Sequence, residues 1–509
     1  MNRAATIEGW FARAADALAD PGRRTRAVAV FLAAYTAAWT LYGVLAKASQ
    51  DLHPDMTEIV AWSRHLALGY SKHPPLAPYL ARAWFSVFPY ADWSFYLLAI
   101  AAASLTLWIA WRIALRYLDG SKALAATLLL TFLPFFNFHA LKFNANTVLM
   151  PTWAATTWWF LISYETRSRI FAVLAGVGAG LAMLGKYWSV ILLLGLGIAA
   201  LLNRRRAAYF RSSAPYLTVA SGALVIAPHV IWMIDSNFAP LRYATGGHAA
   251  KPLGEVLASA VGYLGGVVAF AALPLALVAI LLRPSLAAAA DTYLPSSPER
   301  RLQAAVLWLP LLGPALLAPF GATVINSIWS MPAWTLFGIV FVSSPLIEVS
   351  RRALQNLLAC AILAPALFIA AAPGVAYFVQ RGGLPPWQQH LSLLAPQVDR
   401  LWRETTSAPL SLVCGETGFA NGVAFYSRAH PSVCDSPIAF AGNRMRRDDA
   451  IIRNGVAIVC PETAECAAAI DRLSGGAATK RRTVELSRSF MGLSSPPSRY
   501  LIAAIPPQL

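Results

Sequence analysis

Charge is scarce in this chain. Of its 509 residues only 13% are charged and 57% are hydrophobic, whereas an ordinary soluble domain carries about 25% charged residues. Acids are scarcer than bases, with 24 Asp and Glu against 41 Lys and Arg and a net charge of +17. So little charge beside 17 Trp and 24 Phe excludes a disordered chain, a coiled coil and a soluble nucleic-acid binder. Cysteine is also rare, at five, and no CxxC pair occurs, which argues against a cysteine-held metal. No internal repeat is visible, and no cleavable signal peptide. Residues 1–26 are polar and basic, and the first apolar run is too long and lacks a small-residue cleavage site.

What the chain has in abundance is apolar sequence. A run of about 18 apolar residues is a candidate transmembrane helix. Eleven runs qualify, near 27–46, 93–111, 122–138, 147–164, 170–185, 187–202, 215–234, 256–282, 303–320, 329–346 and 353–372. The fifth and sixth are divided at Lys186, because a lysine at the bilayer centre is costly. Placing the N-terminus in the cytoplasm puts 19 Lys and Arg of the N-terminal segment and loops on the cytoplasmic side and 8 on the other, as the positive-inside rule requires. The expected fold class is an α-helical polytopic membrane protein. Residues 1–26 form a cytoplasmic tail with an amphipathic stretch through Trp10, Phe11 and Leu18, and residues 27–372 the membrane domain, with a first outer loop at 47–92.

From Pro373 the long apolar runs stop. Strand-like runs at Leu410–Cys414 and Val456–Cys460, and a helix-like stretch at Thr463–Leu473, predict a small α/β domain over 373–509, outside the cytoplasm. Four cysteines lie in it, and an even number in an oxidising compartment points to disulfides. Of the three pairings that four cysteines permit, we expect Cys414–Cys434 and Cys460–Cys466. Cys360 lies within a span and is ordinary packing.

Among so few acids, those of the outer loops stand out: Asp51, Asp55, Glu58, Asp92, Asp235 and Glu255. Three fall in the stretch Asp51-Leu-His-Pro-Asp-Met-Thr-Glu58. Pro54 suits the first position of a helix, and Asp55, Glu58, Trp62 and His65 then fall near one face. Such a helix presents carboxylates at the membrane surface; the same acids would equally complement its dipole. The loop continues into Lys72-His73 before Pro74-Pro75, a basic pair suited to a phosphate head group. Lys186, between two spans, suits the same partner or snorkels to the interface. A later outer loop, Asp235–Glu255, offers Arg242 and His248 for contact with substrate or metal, and Asn144 and Asn146 are further candidates.

These residues resemble a family. His53-Pro-Asp-Met-Thr-Glu58, then Trp62, Gly69-Tyr70 and His73-Pro-Pro-Leu76, look like the first periplasmic loop of the bacterial polyprenyl-phosphate-sugar glycosyltransferases. That group includes the lipid A aminoarabinose and galacturonic acid transferases and is related to the protein O-mannosyltransferases. Phe143-Asn-Ala-Asn146 running into Pro151-Thr-Trp153, and the Gly-rich Gly176–Lys186, also fit. The resemblance covers roughly 50–202 and implies a GT-C fold in the bacterial inner membrane. It implies a polyprenyl-phosphate-sugar donor and a lipid or glycan acceptor, with lipid A or another envelope glycolipid preferred. Asp55 matches the family's catalytic aspartate, with Glu58 beside it. Lys72, His73 and Lys186, or a divalent metal ion, would offset charge on the departing phosphate. Many relatives carry a second acid where this chain has Asn144-Ala-Asn146, and some have Glu-Lys where it has Lys72-His73. Two rivals make other demands. A flippase or transporter of lipid-linked sugars favours ionisable residues within spans and repeated halves. A scaffold that binds partners through its tail predicts that Asp55→Asn is silent.

Overall fold

A backbone in hydrocarbon has no water to bond, so its polar groups must pair within a helix. Each of the eleven apolar runs falls on helical structure in the computed structural model, which describes residues 3–247, 251–434, 453–474 and 478–508. The described residues hold five helices long and apolar enough to cross a membrane: Arg24–Ala46, Asp92–Tyr117, Ala214–Asp235, Leu253–Leu282 and Arg351–Gly382. A sixth span is counted if Gly120–Leu130 and Pro134–Leu141 are one bent element, turned by 84°. The bend has a local cause. Pro134 cannot donate to the ladder and pushes Leu133 into extended backbone, at φ −75° and ψ 131°. The run at 329–346 is a 3₁₀ helix over Ser327–Leu336 and an α-helix over Phe337–Val342, and it stops four residues early. The last run continues to Gly382, ten residues past the expected boundary.

The chain divides into two compact units. The first comprises residues 1–40, 67–77 and 97–367, and the second residues 41–66, 78–96 and 368–509. The first unit is helical, with Trp111, Trp153, Trp334, Phe135 and Phe337 fully buried. Val219, Leu224, Val261 and Val268 stand exposed on its long helices, a face suited to lipid rather than water. Helix Arg169–Gly185 lies between Ala145–Thr166 and Ala214–Asp235. It ends at Lys186, which is extended at φ −166° and ψ 140°, and a 3₁₀ turn, Tyr187–Ser189, leads into helix Val190–Leu202. The break is bolted: Ser189 Oγ donates to Ala182 O at 2.7 Å and accepts from Trp153 Nε1 at 2.9 Å.

In the second unit a sheet is built from β1 (Leu412–Gly415), β2 (Ser432–Val433), β3 (Val456–Pro461), β4 (Lys480–Leu486) and β7 (Ser498–Ile505), in the order β2-β1-β3-β7-β4. A two-strand ribbon, β5 (Ser489–Phe490) and β6 (Leu493–Ser494), stands apart. Strand β1 runs parallel to β2 and β3, and β7 runs antiparallel to β3 and β4. The unbroken apolar run of β3 is covered on both faces, as its pattern demands. Leu394, Val398 and Val423, from helices Leu391–Thr405 and Thr417–Tyr426, cover one face, and Ile470 and Leu473 of helix Ala464–Ser474 cover the other. Disulfides join Cys414 to Cys434 and Cys460 to Cys466, and Cys360 is a free thiol.

Candidate active site

The loop over 47–92 holds helix Pro54–Ser63, which begins at the proline. His53 caps it: the ring Nδ1 accepts the Asp55 backbone N–H at 3.1 Å, so a neutral His53 carries its proton on Nε2. The same nitrogen lies 3.5 Å from Asp55 Oδ1. Met56, Thr57, Ile59, Val60, Ala61 and Ser63 are buried, whereas Asp55, Glu58 and Trp62 are half-exposed. The helical spacing therefore sorts the acids onto the open face. The Asp55 side chain keeps 46% of its surface, in reach of a substrate. Exposed His65 lies past the helix end, with Nε2 2.9 Å from Ser432 Oγ.

The first unit holds the basic candidates Lys72, His73 and Lys186. Lys72 Nζ lies over the Tyr243 ring, 5.8 Å from its centroid. His73 closes a turn in which its carbonyl accepts the Tyr70 N–H at 3.0 Å, and Pro74 and Pro75 behind it are buried. Lys186, at the helix break, donates to Asn146 Oδ1 at 2.9 Å and sits 5.2 Å from the Trp329 ring centroid. That carboxamide is neutral, so the bond fixes the ammonium without cancelling its charge. The two asparagines thus separate. Asn144 Oδ1 accepts from the Asn146 and Thr147 N–H groups as a helix cap, while Asn146 holds Lys186. Arg242 is exposed on helix Ala239–Gly247, and His248 lies outside the described residues.

Two arrangements escaped the sequence reading. His229, buried inside a span, makes contacts of 2.6 Å from Nδ1 to Leu68 O and 2.8 Å from Nε2 to the Tyr187 hydroxyl. An ionisable residue within an apolar run is the signal that marks it. Asp51 is 4% exposed and pairs with Arg488, which no local spacing reveals. Among the described residues no three His, Cys, Asp or Glu side chains gather as a cation site would require. The described donors alone do not make a site for a divalent metal.

Residues 72–232 match the family described as dolichyl-phosphate-mannose-protein mannosyltransferase. The matched stretch contains Lys72, His73, Asn146 and Lys186 and stops short of Asp55. The lipopolysaccharide core galacturonosyltransferase RgtB of Rhizobium johnstonii is 29% identical over 312 residues, covering 59% of this chain and 61% of that protein. The chain therefore matches about three fifths of that relative's length. The crystal structure of ArnT from Cupriavidus metallidurans bound to undecaprenyl phosphate superimposes with a TM-score of 0.63 at 12% identity, covering 93% of this chain and 97% of that one. The chain has the GT-C fold of a multi-pass membrane protein.

Proposed function

We propose that this protein is a membrane glycosyltransferase that moves a sugar from a polyprenyl-phosphate donor to an acceptor at the periplasmic face of the inner membrane. Lipid A or another envelope glycolipid is the preferred acceptor. The relatives support the reaction class: one is a galacturonosyltransferase of lipopolysaccharide core, and the matched family is named for a lipid-phosphate-sugar donor. In one displacement Asp55 takes the proton of the acceptor hydroxyl. The freed oxygen attacks the anomeric carbon, and the bond from that carbon to the phosphate oxygen breaks with inversion. The electron pair leaves with the polyprenyl phosphate, whose charge Lys186, Lys72 and His73 offset. Glu58, one turn from Asp55, shares the open face and raises the local negative charge.

One observation carries the choice of base. The Asp51 carboxylate is buried and fully engaged with its own unit, whereas Asp55 keeps a half-exposed carboxylate at the helix start. The test is turnover by purified full-length protein with polyprenyl-phosphate-linked galacturonic acid, aminoarabinose and mannose, and lipid A as acceptor. Asp55→Asn is expected to lower kcat about 10²- to 10⁴-fold, the usual contribution of a general base. Lys186→Ala removes a charged donor bond worth about 1.5–3 kcal/mol and should raise the donor KM roughly ten- to hundredfold. Normal turnover by Asp55→Asn sinks the mechanism.

A further inference from the structure

The residues that lead into helix Pro54–Ser63 are held by other parts of the second unit. The Asp51 backbone N–H donates to Gln388 O at 2.7 Å. Its carboxylate is engaged on both oxygens. Oδ2 accepts from the Leu391 N–H at 2.7 Å and the Ser392 N–H at 3.3 Å. Oδ1 accepts from Ser392 Oγ at 2.6 Å and from Arg488 Nη2 at 2.5 Å. Arg488 is itself fixed, with Nε donating to Gln389 O at 2.7 Å. The next residue, Leu52, donates its N–H to the Tyr426 hydroxyl at 2.9 Å, and that hydroxyl donates to Asp92 Oδ1 at 2.9 Å. His53 meets the Trp387 ring edge-on, with centroids 6.1 Å apart. The helix itself packs on Thr417–Tyr426.

Three consecutive residues are therefore clamped, and the helix they start carries Asp55 as its second residue. A buried ion pair is a poor stabiliser, since an apolar pair of similar volume often does as well. What a carboxylate with four donors supplies is direction, because each bond fixes an angle as well as a distance.

We infer that Asp51 and Arg488 are positioning residues for Asp55: their buried pair, with Tyr426, sets where helix Pro54–Ser63 begins and how its first carboxylate is aimed. The inference rests on the reading of Asp55 as the base. It gives the C-terminal domain a part in the reaction, since the groups that hold Asp51 and Leu52 lie at 388–392, 426 and 488. None of them need touch the substrate.

The experiment uses full-length protein in detergent with polyprenyl-phosphate-linked galacturonic acid, aminoarabinose and mannose as donors and lipid A as acceptor. Arg488→Gln should lower kcat on the order of ten- to hundredfold, as misplacement of a reacting group by an ångström does, with the donor KM changed less than about twofold. Arg488→Lys should recover part of the loss. The double variant Asp51→Asn with Arg488→Gln leaves no unpaired charge and decides the matter if the single variant fails to fold; its kcat should stay low. Tyr426→Phe should show a smaller loss in the same sense. Glu404→Gln weakens only the exposed pairs to Lys480 and Arg482 and should leave kcat unchanged. Hydrogen exchange should quicken at residues 51–57 in Arg488→Gln while the β3 amides stay protected. Full kcat with normal protection at 51–57 in the folded double variant overturns the inference. Asp55→Asn is run alongside. If it turns over fully, the reading of Asp55 falls and the inference with it. If it is inactive while the double variant is fully active, the inference alone falls.

Discussion

His390 lies beside the Asp51–Arg488 pair, with Nδ1 2.7 Å from the Tyr500 hydroxyl. Burial lowers its pKa below the ordinary 6.5, with Asp51 pulling it up and Arg488 pushing it down. The unfolded chain therefore takes its proton near pH 6.5, and the folded chain only at lower pH. Between the two the unfolded state binds the extra proton, so stability is present above pH 6.5 and is lost as pH falls. His430 is lowered by burial and acts in the same direction. Glu416 is raised by burial and acts the other way, just above its ordinary 4.5. Melting of the protein at about pH 7.5 and about pH 5.5 should show a gap that narrows in His390→Gln; an equal gap refutes the assignment. At this scale part of the site was legible. A proline before Asp55 marks a helix start, and a lysine inside an apolar run demands a break. Asp51 was not legible as a clamp, because Arg488 lies 437 residues further along. Nor do two asparagines a residue apart announce that one caps a helix and the other holds a lysine. Backbone geometry assigns those roles.

The helices themselves follow from the apolar runs, since a stretch of that length in lipid has no other way to pair its backbone. Their bends and ends follow from single residues. Pro134 breaks one run, and Lys186 with the Ser189 bolt divides another. The 3₁₀ winding of Ser327–Leu336 has no comparable signal in composition. Small residues decide how closely two helices approach. A Cβ on Gly176 would strike Thr218 O and Ser221 Oγ of helix Ala214–Asp235. Those two side chains also bridge the pair, Thr218 Oγ1 donating to Ala172 O at 3.0 Å and Ser221 Oγ to Val173 O at 3.1 Å. Gly176→Val should therefore cost about 1–3 kcal/mol by overpacking and lower the melting temperature in detergent. Gly197, with nothing within 4 Å of its Cβ position, should tolerate the same change. Equal melting of the two variants would show that this interface does not need a bare backbone.

At the scale of the whole molecule, the net charge of +17 is expected to report orientation more than recognition. The basic residues concentrate in the N-terminal segment and in alternate loops, which is the pattern of a chain inserted with those loops in the cytoplasm. The eleven spans expected from the sequence would carry the C-terminal domain to the opposite face, that of the proposed acceptor. The cysteines make this testable without any substrate. The described structure pairs Cys414 with Cys434 and Cys460 with Cys466 and leaves Cys360 free. Such bonds persist in an oxidising periplasm and are reduced in the cytosol. Native membranes treated with a maleimide under denaturing conditions should label Cys360 alone. A second maleimide, added after reduction, should then label the four cysteines of the C-terminal domain. Labelling of those four before reduction would place the domain in the cytoplasm. The span count would then be even, and a transfer reaction at the periplasmic face would lose its topological basis even if Asp55 proved essential.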